Sequence, residues 1–205
     1  MSAERLTIFI VDDDASVRDS LALMLGLTGH RTALFADAEA LLKAWRPEWA
    51  GCVVADLRLP GMSGVELQAE LQRRGSRLPF IIITAHGDVA HARAAFQANA
   101  VDFLEKPFDH GQLREAVQRA FSLEERRLAQ TAEAERLATL TAREREVLDQ
   151  AAKGLPAKEI AAALGISPRT VEVHKTRIME KLGVRNIAEL VRAALAAHPG
   201  SDRDS

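Results

Sequence analysis

The chain of 205 residues is 47% hydrophobic and 27% charged, which excludes a disordered polymer, and no apolar run approaches the roughly 18 residues of a membrane span. Its net charge of −2 hides an asymmetry: residues 1–121 carry 13 Lys/Arg against 16 Asp/Glu, whereas residues 141–199 carry 10 against 7. That length suits one or two domains with cores of their own, and the mildly basic C-terminal part suits a nucleic-acid partner.

Residues 6–11 form an apolar run that ends in Asp12-Asp13-Asp14 and reads as a buried strand. It is too short, and too soon broken by acids, to be a signal peptide, so a cytoplasmic protein is expected. A helix is predicted over 15–27 with Val17, Leu21, Met24 and Leu25 as its apolar stripe, ending at Gly29-His30. A weaker strand over 32–35 and a helix over 38–45 follow. Residues 52–55 then deliver Asp56 into a turn shaped by Pro60, Gly61 and Gly64. Cys52, the single cysteine, falls inside this core strand, so no disulfide framework exists. Next come a helix over 65–73 with Leu67 and Leu71 inward, a strand over 80–84, and an alanine-rich helix over 89–98. A strand over 101–104 leads to Glu105-Lys106-Pro107, and a helix starts near Asp109. Five strands alternating with five helices predict an α/β fold with a parallel sheet covered on both faces.

Residues 122–140 contain no Gly or Pro and are dense in charge, as in Glu124-Glu125-Arg126-Arg127. They read as a solvated helical spacer; Leu123, Leu128 and Leu137 hold no heptad. From Thr141 the strands vanish. Thr141-Ala142-Arg143-Glu144 is a capping-box pattern that opens a helix to Lys153, with Gly154 as its stop. A second helix starts at Pro156 and ends at Gly165. Ser167-Pro168 opens a third, to Leu182, and a fourth covers about 187–197. Two helices joined by a tight glycine-containing turn are helix-turn-helix grammar, with the third helix as the reader. At 100° per residue, Ile178 and Leu182 share a face with Val171, while Arg169, Val173, Thr176 and Glu180 point the opposite way. An outward valine suits a thymine methyl in a major groove.

Asp12, Asp13, Asp56, Thr84 and Lys106 all fall at strand ends, where open α/β sheets place their ligand chemistry. Carboxylates brought together repel unless a cation joins them, and a hard ion such as Mg²⁺ takes oxygen ligands. This set, with Pro107, resembles the signature of two-component receiver domains. Ser167 to His174 narrows the resemblance to response regulators of the NarL/FixJ type, and the runs from Thr84 to Asp88 and from Asp102 to Phe108 point to the FixJ subgroup. It extends over about residues 5–197.

The resemblance implies a flavodoxin-like five-stranded receiver over 1–122 in strand order 2-1-3-4-5, a helical linker over 123–140, an all-α four-helix LuxR-type domain over 141–199 and a tail over 200–205. Asp56 is the implied acceptor of a phosphoryl group from a sensor histidine kinase. Asp13 is implied to bind Mg²⁺ directly and Asp12 mainly through water, with the backbone carbonyl of Arg58 completing the protein ligands. Lys106 and Thr84 would meet phosphoryl oxygens, Phe103 would enter the space Thr84 vacates, and Lys106-Pro107 would be cis. The helix over 89–98 and the fifth strand would be the dimerisation face. Arg169, Thr170, Glu172, Val173, His174, Lys175, Thr176, Arg177 and Lys181 form the implied DNA-contacting set, with Glu172, Val173 and Thr176 reading bases and Arg169, Lys175, Arg177 and Lys181 reaching phosphates. Glu172 departs from the lysine many relatives carry, and Ala157 from a polar residue. The implied protein is a transcription factor, most simply an activator, whose partners are the kinase, promoter DNA, RNA polymerase and, once phosphorylated, a second copy, with no membrane. A phosphate-independent regulator is one alternative. Another is an aspartate-based phosphatase, which would want a second acid where Arg58 stands.

Overall fold

Successive side chains of a strand face opposite ways, and in the run from Cys52 to Ala55 both sets are apolar. Cys52 and Val54 belong to one core layer and Val53 and Ala55 to the other, all four inaccessible to solvent. A strand buried on both sides belongs inside a covered parallel sheet. The computed structural model, which describes residues 6–85, 101–186 and 189, places it there. Strands β1 (Thr7–Val11), β2 (Arg31–Phe35), β3 (Gly51–Asp56), β4 (Phe80–Ala85) and β5 (Asp102–Lys106) form one parallel sheet in the expected order β2-β1-β3-β4-β5.

Helices α1 (Ala15–Gly26) and α4 (His110–Ala138) cover one face, where Leu21, Leu25, Leu113, Val117 and Phe121 close over Ile8, Ile10, Val54 and Ile83. Helices α2 (Ala38–Ala44) and α3 (Gly64–Arg73) cover the other, with Leu41, Leu67 and Leu71 against Phe9, Val11, Val53 and Ile82. Val17 and Met24, expected inward, are only half-buried. The strand expected over 101–104 starts one residue later and runs on through Lys106. The helix expected over 89–98 lies outside the described residues.

The chain divides into two compact units, Met1–Arg127 and Leu128–Ser205, at a point inside α4. The stretch expected to be a solvated spacer is indeed helical to Ala138, yet it is not solvated throughout. Glu124 is fully buried, and its two carboxylate oxygens each accept a hydrogen bond from Arg127 at 2.7 Å. In the second unit, α5 (Ala142–Ala152), α6 (Ala157–Leu164) and α7 (Pro168–Leu182) enclose Val147, Leu148, Ile160, Val171, Ile178 and Leu182. The α6–α7 turn begins at Gly165, whose φ of +66° lies in the left-handed region that a glycine enters without a side-chain clash. The predicted fourth helix lies outside the described residues, apart from residue 189, as does the tail. Among the described residues, no helix is long and apolar enough to cross a membrane.

Candidate functional site

Strand register brings the acids together. Val11 pairs with Ala55, so Asp12, the first residue past β1, comes to lie beside Asp56, the last residue of β3. Two strands away, Ala85 pairs with Lys106. The Lys106 ammonium reaches back across β4 to lie 2.5 Å from Asp56 Oδ2 and 3.2 Å from Asp12 Oδ2. The remaining oxygens are also held: Asp12 Oδ1 accepts the Asp14 N–H at 2.9 Å, and Asp56 Oδ1 accepts the Arg58 N–H at 2.8 Å. Arg18 donates to the Asp12 carbonyl at 2.5 Å. Asp13 is exposed, whereas Asp12 is buried.

This cluster sets one positive charge against two negative ones. Burial pushes the Asp12 carboxyl above its ordinary range, against the lowering effect of the Asp14 N–H and of Lys106. Burial alone would lower the Lys106 ammonium, but the hydrogen bond and charge of Asp56, then the charge of Asp12, outweigh it and hold the group above its usual value. Among the described residues no three acidic side chains converge as they stand on one metal position; Lys106 occupies the space between two of them. Asp14, the third acid in the run, caps α1 by accepting the Ser16 N–H at 2.8 Å, which lowers its own pKa.

Thr84, one residue before the end of β4, lies opposite Glu105 and is buried, its hydroxyl donating to the Ala85 carbonyl at 3.3 Å. Phe103 is half-buried against the core layer under α2 and α3. The Lys106–Pro107 peptide is cis, as the resemblance implied.

Sequence reasoning missed what fixes the loop after Asp56. Ser63 and Glu66 form a complete capping box on α3, and the signal, a serine three residues before a glutamate, stands in the sequence. Gly64 follows the cap, and a Cβ there would lie 2.4 Å from the Asp56 carbonyl oxygen. Only glycine lets α3 start this close to the acid.

The second unit presents α7. Ser167 accepts the Thr170 N–H at 3.1 Å and shares a hydroxyl hydrogen bond with Thr170 at 2.8 Å, so Thr170 is tied into the cap. Val171, Ile178 and Leu182 are buried, while Arg169, Val173, Thr176 and Glu180 are exposed, as the helical angles predicted; Arg177 is exposed as well. Val173 keeps 44% of its surface in solvent. Not every expected DNA contact stands free. The Lys175 ammonium lies 3.2 Å from Glu172 Oε1, and its side chain is only 11% exposed. Lys181, expected to reach a phosphate, instead pairs with Glu144 at 2.6 Å and donates to the Thr139 carbonyl at 3.1 Å. With the Thr141 N–H also donated to it, the Glu144 carboxyl is held down at about 2, Lys181 being the main cause. This clamp joins the end of α7 to the start of α5. His174 is half-buried, and its Nδ1 meets no partner among the described residues.

Comparison with known proteins covers both units. The chain matches the family of response regulator receiver domains over residues 8–118 and the family of bacterial regulatory proteins of the luxR type over residues 138–194. The transcriptional regulatory protein FixJ of Azorhizobium caulinodans is 44% identical over 198 residues, spanning 95% of this chain and 94% of the relative. FixJ of Rhizobium meliloti is 46% identical over 198 residues, spanning 93% and 95%. Among solved structures, the response regulator StyR superposes with a TM-score of 0.74 at 42% identity, over 92% of this chain and 98% of that one. Full-length FixJ from B. japonicum gives 0.61 at 40% identity, over 96% and 99%. Two units, an acidic sheet edge bridged by a lysine, and relatives that match both units along their length lead to one conclusion: the chain belongs to the two-component response regulators that join a receiver domain to a LuxR-type DNA-binding domain, FixJ-like regulators of transcription rather than enzymes.

Proposed function

We propose that the chain is a cytoplasmic protein whose Asp56 accepts a phosphoryl group from the phosphohistidine of a sensor histidine kinase, and that this charge change switches the chain from a monomer to a promoter-binding dimer. The observation that carries this is Lys106, whose ammonium already bridges Asp56 and Asp12 at the carboxyl edge of the sheet. In the transfer the P–N bond breaks, its electron pair stays on the imidazole, and a P–O bond forms to Asp56. Such a loose, anionic group needs alignment and neutralisation more than covalent help. Asp12, Asp13, Asp56 and the carbonyl of Arg58 offer oxygen donors only, the chemistry that suits Mg²⁺, which would supply that neutralisation. Lys106 would move from the carboxylate pair to a phosphoryl oxygen, and Thr84 would turn its hydroxyl from Ala85 to another. Phe103 would then close into the space Thr84 leaves, altering the β5 side of the receiver, the surface proposed to pair.

On α7, Glu172, Val173 and Thr176 face the bases and Arg169 and Arg177 meet phosphates. Thr170 and His174 are half-buried neighbours that position the helix. Lys181 holds α7 to α5 through Glu144. RNA polymerase is the downstream partner of a bound activator. The test uses the full chain and the Asp56→Asn variant, each treated with acetyl phosphate and Mg²⁺. Wild type is expected to take up base-labile phosphate, sediment as a dimer and shift promoter DNA more tightly; Asp56→Asn should do none of these. Equal labelling of the two proteins would refute the assignment of Asp56, and tighter binding by a phosphorylated monomer would refute the dimer.

A further inference from the structure

We infer that Glu172, held by Lys175, makes α7 select a cytosine. This rests on the DNA-reading role of α7 and narrows it to one base. A lone carboxylate entering a groove meets the field of the phosphates, which disfavours it. Here the charge does not enter alone. Glu172 has a side chain 63% exposed, and the ammonium of the nearly buried Lys175 lies against its Oε1 at 3.2 Å. At 100° per residue, Lys175 sits about 40° from the core-facing Val171 and Glu172 about 100°, so the cation lies on the protein side of the acid. The Thr176 hydroxyl donates to the Glu172 carbonyl at 3.0 Å, bonding the first and last residues of this turn. The pair has no net charge, yet among the described residues Lys175 engages only Oε1, which leaves Oε2 as an acceptor.

A carboxylate accepts and cannot donate. Guanine shows it two acceptors in the major groove, thymine an acceptor and a methyl group, and adenine an amino donor beside an acceptor. Cytosine alone shows a single amino donor. Glu172 is therefore the specificity-determining residue for that base, and Lys175 is its positioning residue.

The experiment starts from duplexes that the full-length, acetyl phosphate-treated protein selects from a randomised library. Wild type is expected to prefer cytosine at one half-site position by at least roughly 5-fold, the low end for one good base contact. Replacing that cytosine with N4-methylcytosine, which still pairs but blocks the amino group in the groove, should remove the preference; 5-methylcytosine, with the amino group intact, should keep it. Glu172→Ala should lose the preference at that position alone, and Glu172→Lys should move it to guanine, whose O6 and N7 accept from an ammonium. Lys175→Met should weaken binding by leaving the acid bare, and Glu172→Gln in the same chain should restore it. A packing defect would cost the same in both backgrounds. Identical base preferences for wild type and Glu172→Ala overturn the assignment while leaving DNA binding intact. Failure of the wild type to select any sequence would instead overturn the DNA-reading role beneath it.

Discussion

Lys106 pairs with two acids at once, and its removal tests what that does for the fold. Its side chain is 30% exposed, against 13% for Asp56 and 3% for Asp12, so the pairings are sheltered but not dry. Lys106→Met would leave two carboxylates facing each other at adjacent strand ends. Breaking a buried pair costs roughly 3–5 kcal/mol; partial exposure of the lysine brings the expected loss nearer about 1–2 kcal/mol. Mg²⁺ should restore part of it, and more in the variant than in wild type. Amide exchange of β1 and β3 with and without Mg²⁺ measures both, and unchanged protection in the variant would show that Lys106 does not hold these strand ends. Glu144 offers a second test, through pH. Its folded value of about 2 lies below its ordinary 4.5, because Lys181 and the Thr141 N–H favour the anion. A depressed acid adds stability that is complete above the unfolded value and is lost as pH falls through the folded one. Protection of α7 amides should therefore decline between about pH 4.5 and pH 2. Glu144→Gln should lack that decline and start from lower protection; a decline equal to wild type would assign it to other groups.

At the scale of elements, the start of α3 constrains Asp56, the proposed phosphoacceptor. Gly64→Ala would force a Cβ against the Asp56 carbonyl, now 2.4 Å away, and the backbone must yield. Overpacking of this kind typically costs about 1–3 kcal/mol. The expected outcome is slower phosphate uptake with native sheet content, read by acetyl phosphate labelling and circular dichroism; labelling at the wild-type rate would show that the loop relaxes freely. The sequence carried the strands well, because runs such as 52–55 are apolar on both faces and allow only a covered central strand. It carried the α7 faces for the same reason: Val171, Ile178 and Leu182 share one stripe. Side-chain pairing was less legible. Nothing in local composition distinguishes Glu124, fully buried, from Glu125, which is exposed, since a receiver surface that is distant in sequence decides which one is covered. Likewise Lys181 looked like a phosphate contact because Glu144, 37 residues earlier, takes its ammonium only once the helices pack.

At the scale of the molecule, the two compact units share one uninterrupted helix, α4, of 29 residues, about 43 Å of backbone at 1.5 Å per residue. Gln130→Pro would interrupt it in the second unit's portion by removing a hydrogen bond and adding a ring clash, at about 3 kcal/mol. Phosphate uptake at Asp56 and basal DNA binding should both survive. The increase in DNA binding on phosphorylation should shrink, as gel shifts with and without acetyl phosphate would show; an undiminished increase would mean that the continuity of α4 plays no part. Any such coupling between phosphate and DNA is reciprocal: whatever factor phosphorylation adds to DNA affinity, DNA adds to the stability of the phosphorylated state. The stacking of Trp49 on Phe9, with ring centroids 4.1 Å apart, gives that reciprocity an optical side. The chain has no tyrosine, and both tryptophans, Trp45 and Trp49, belong to the first unit, while residues 128–205 contain no Phe, Trp or Tyr. Intrinsic fluorescence therefore comes from the receiver alone, and the unit that grips DNA is dark. A change in emission on adding an operator duplex, once corrected for absorbance by the DNA, would be the receiver responding to an event in the other unit.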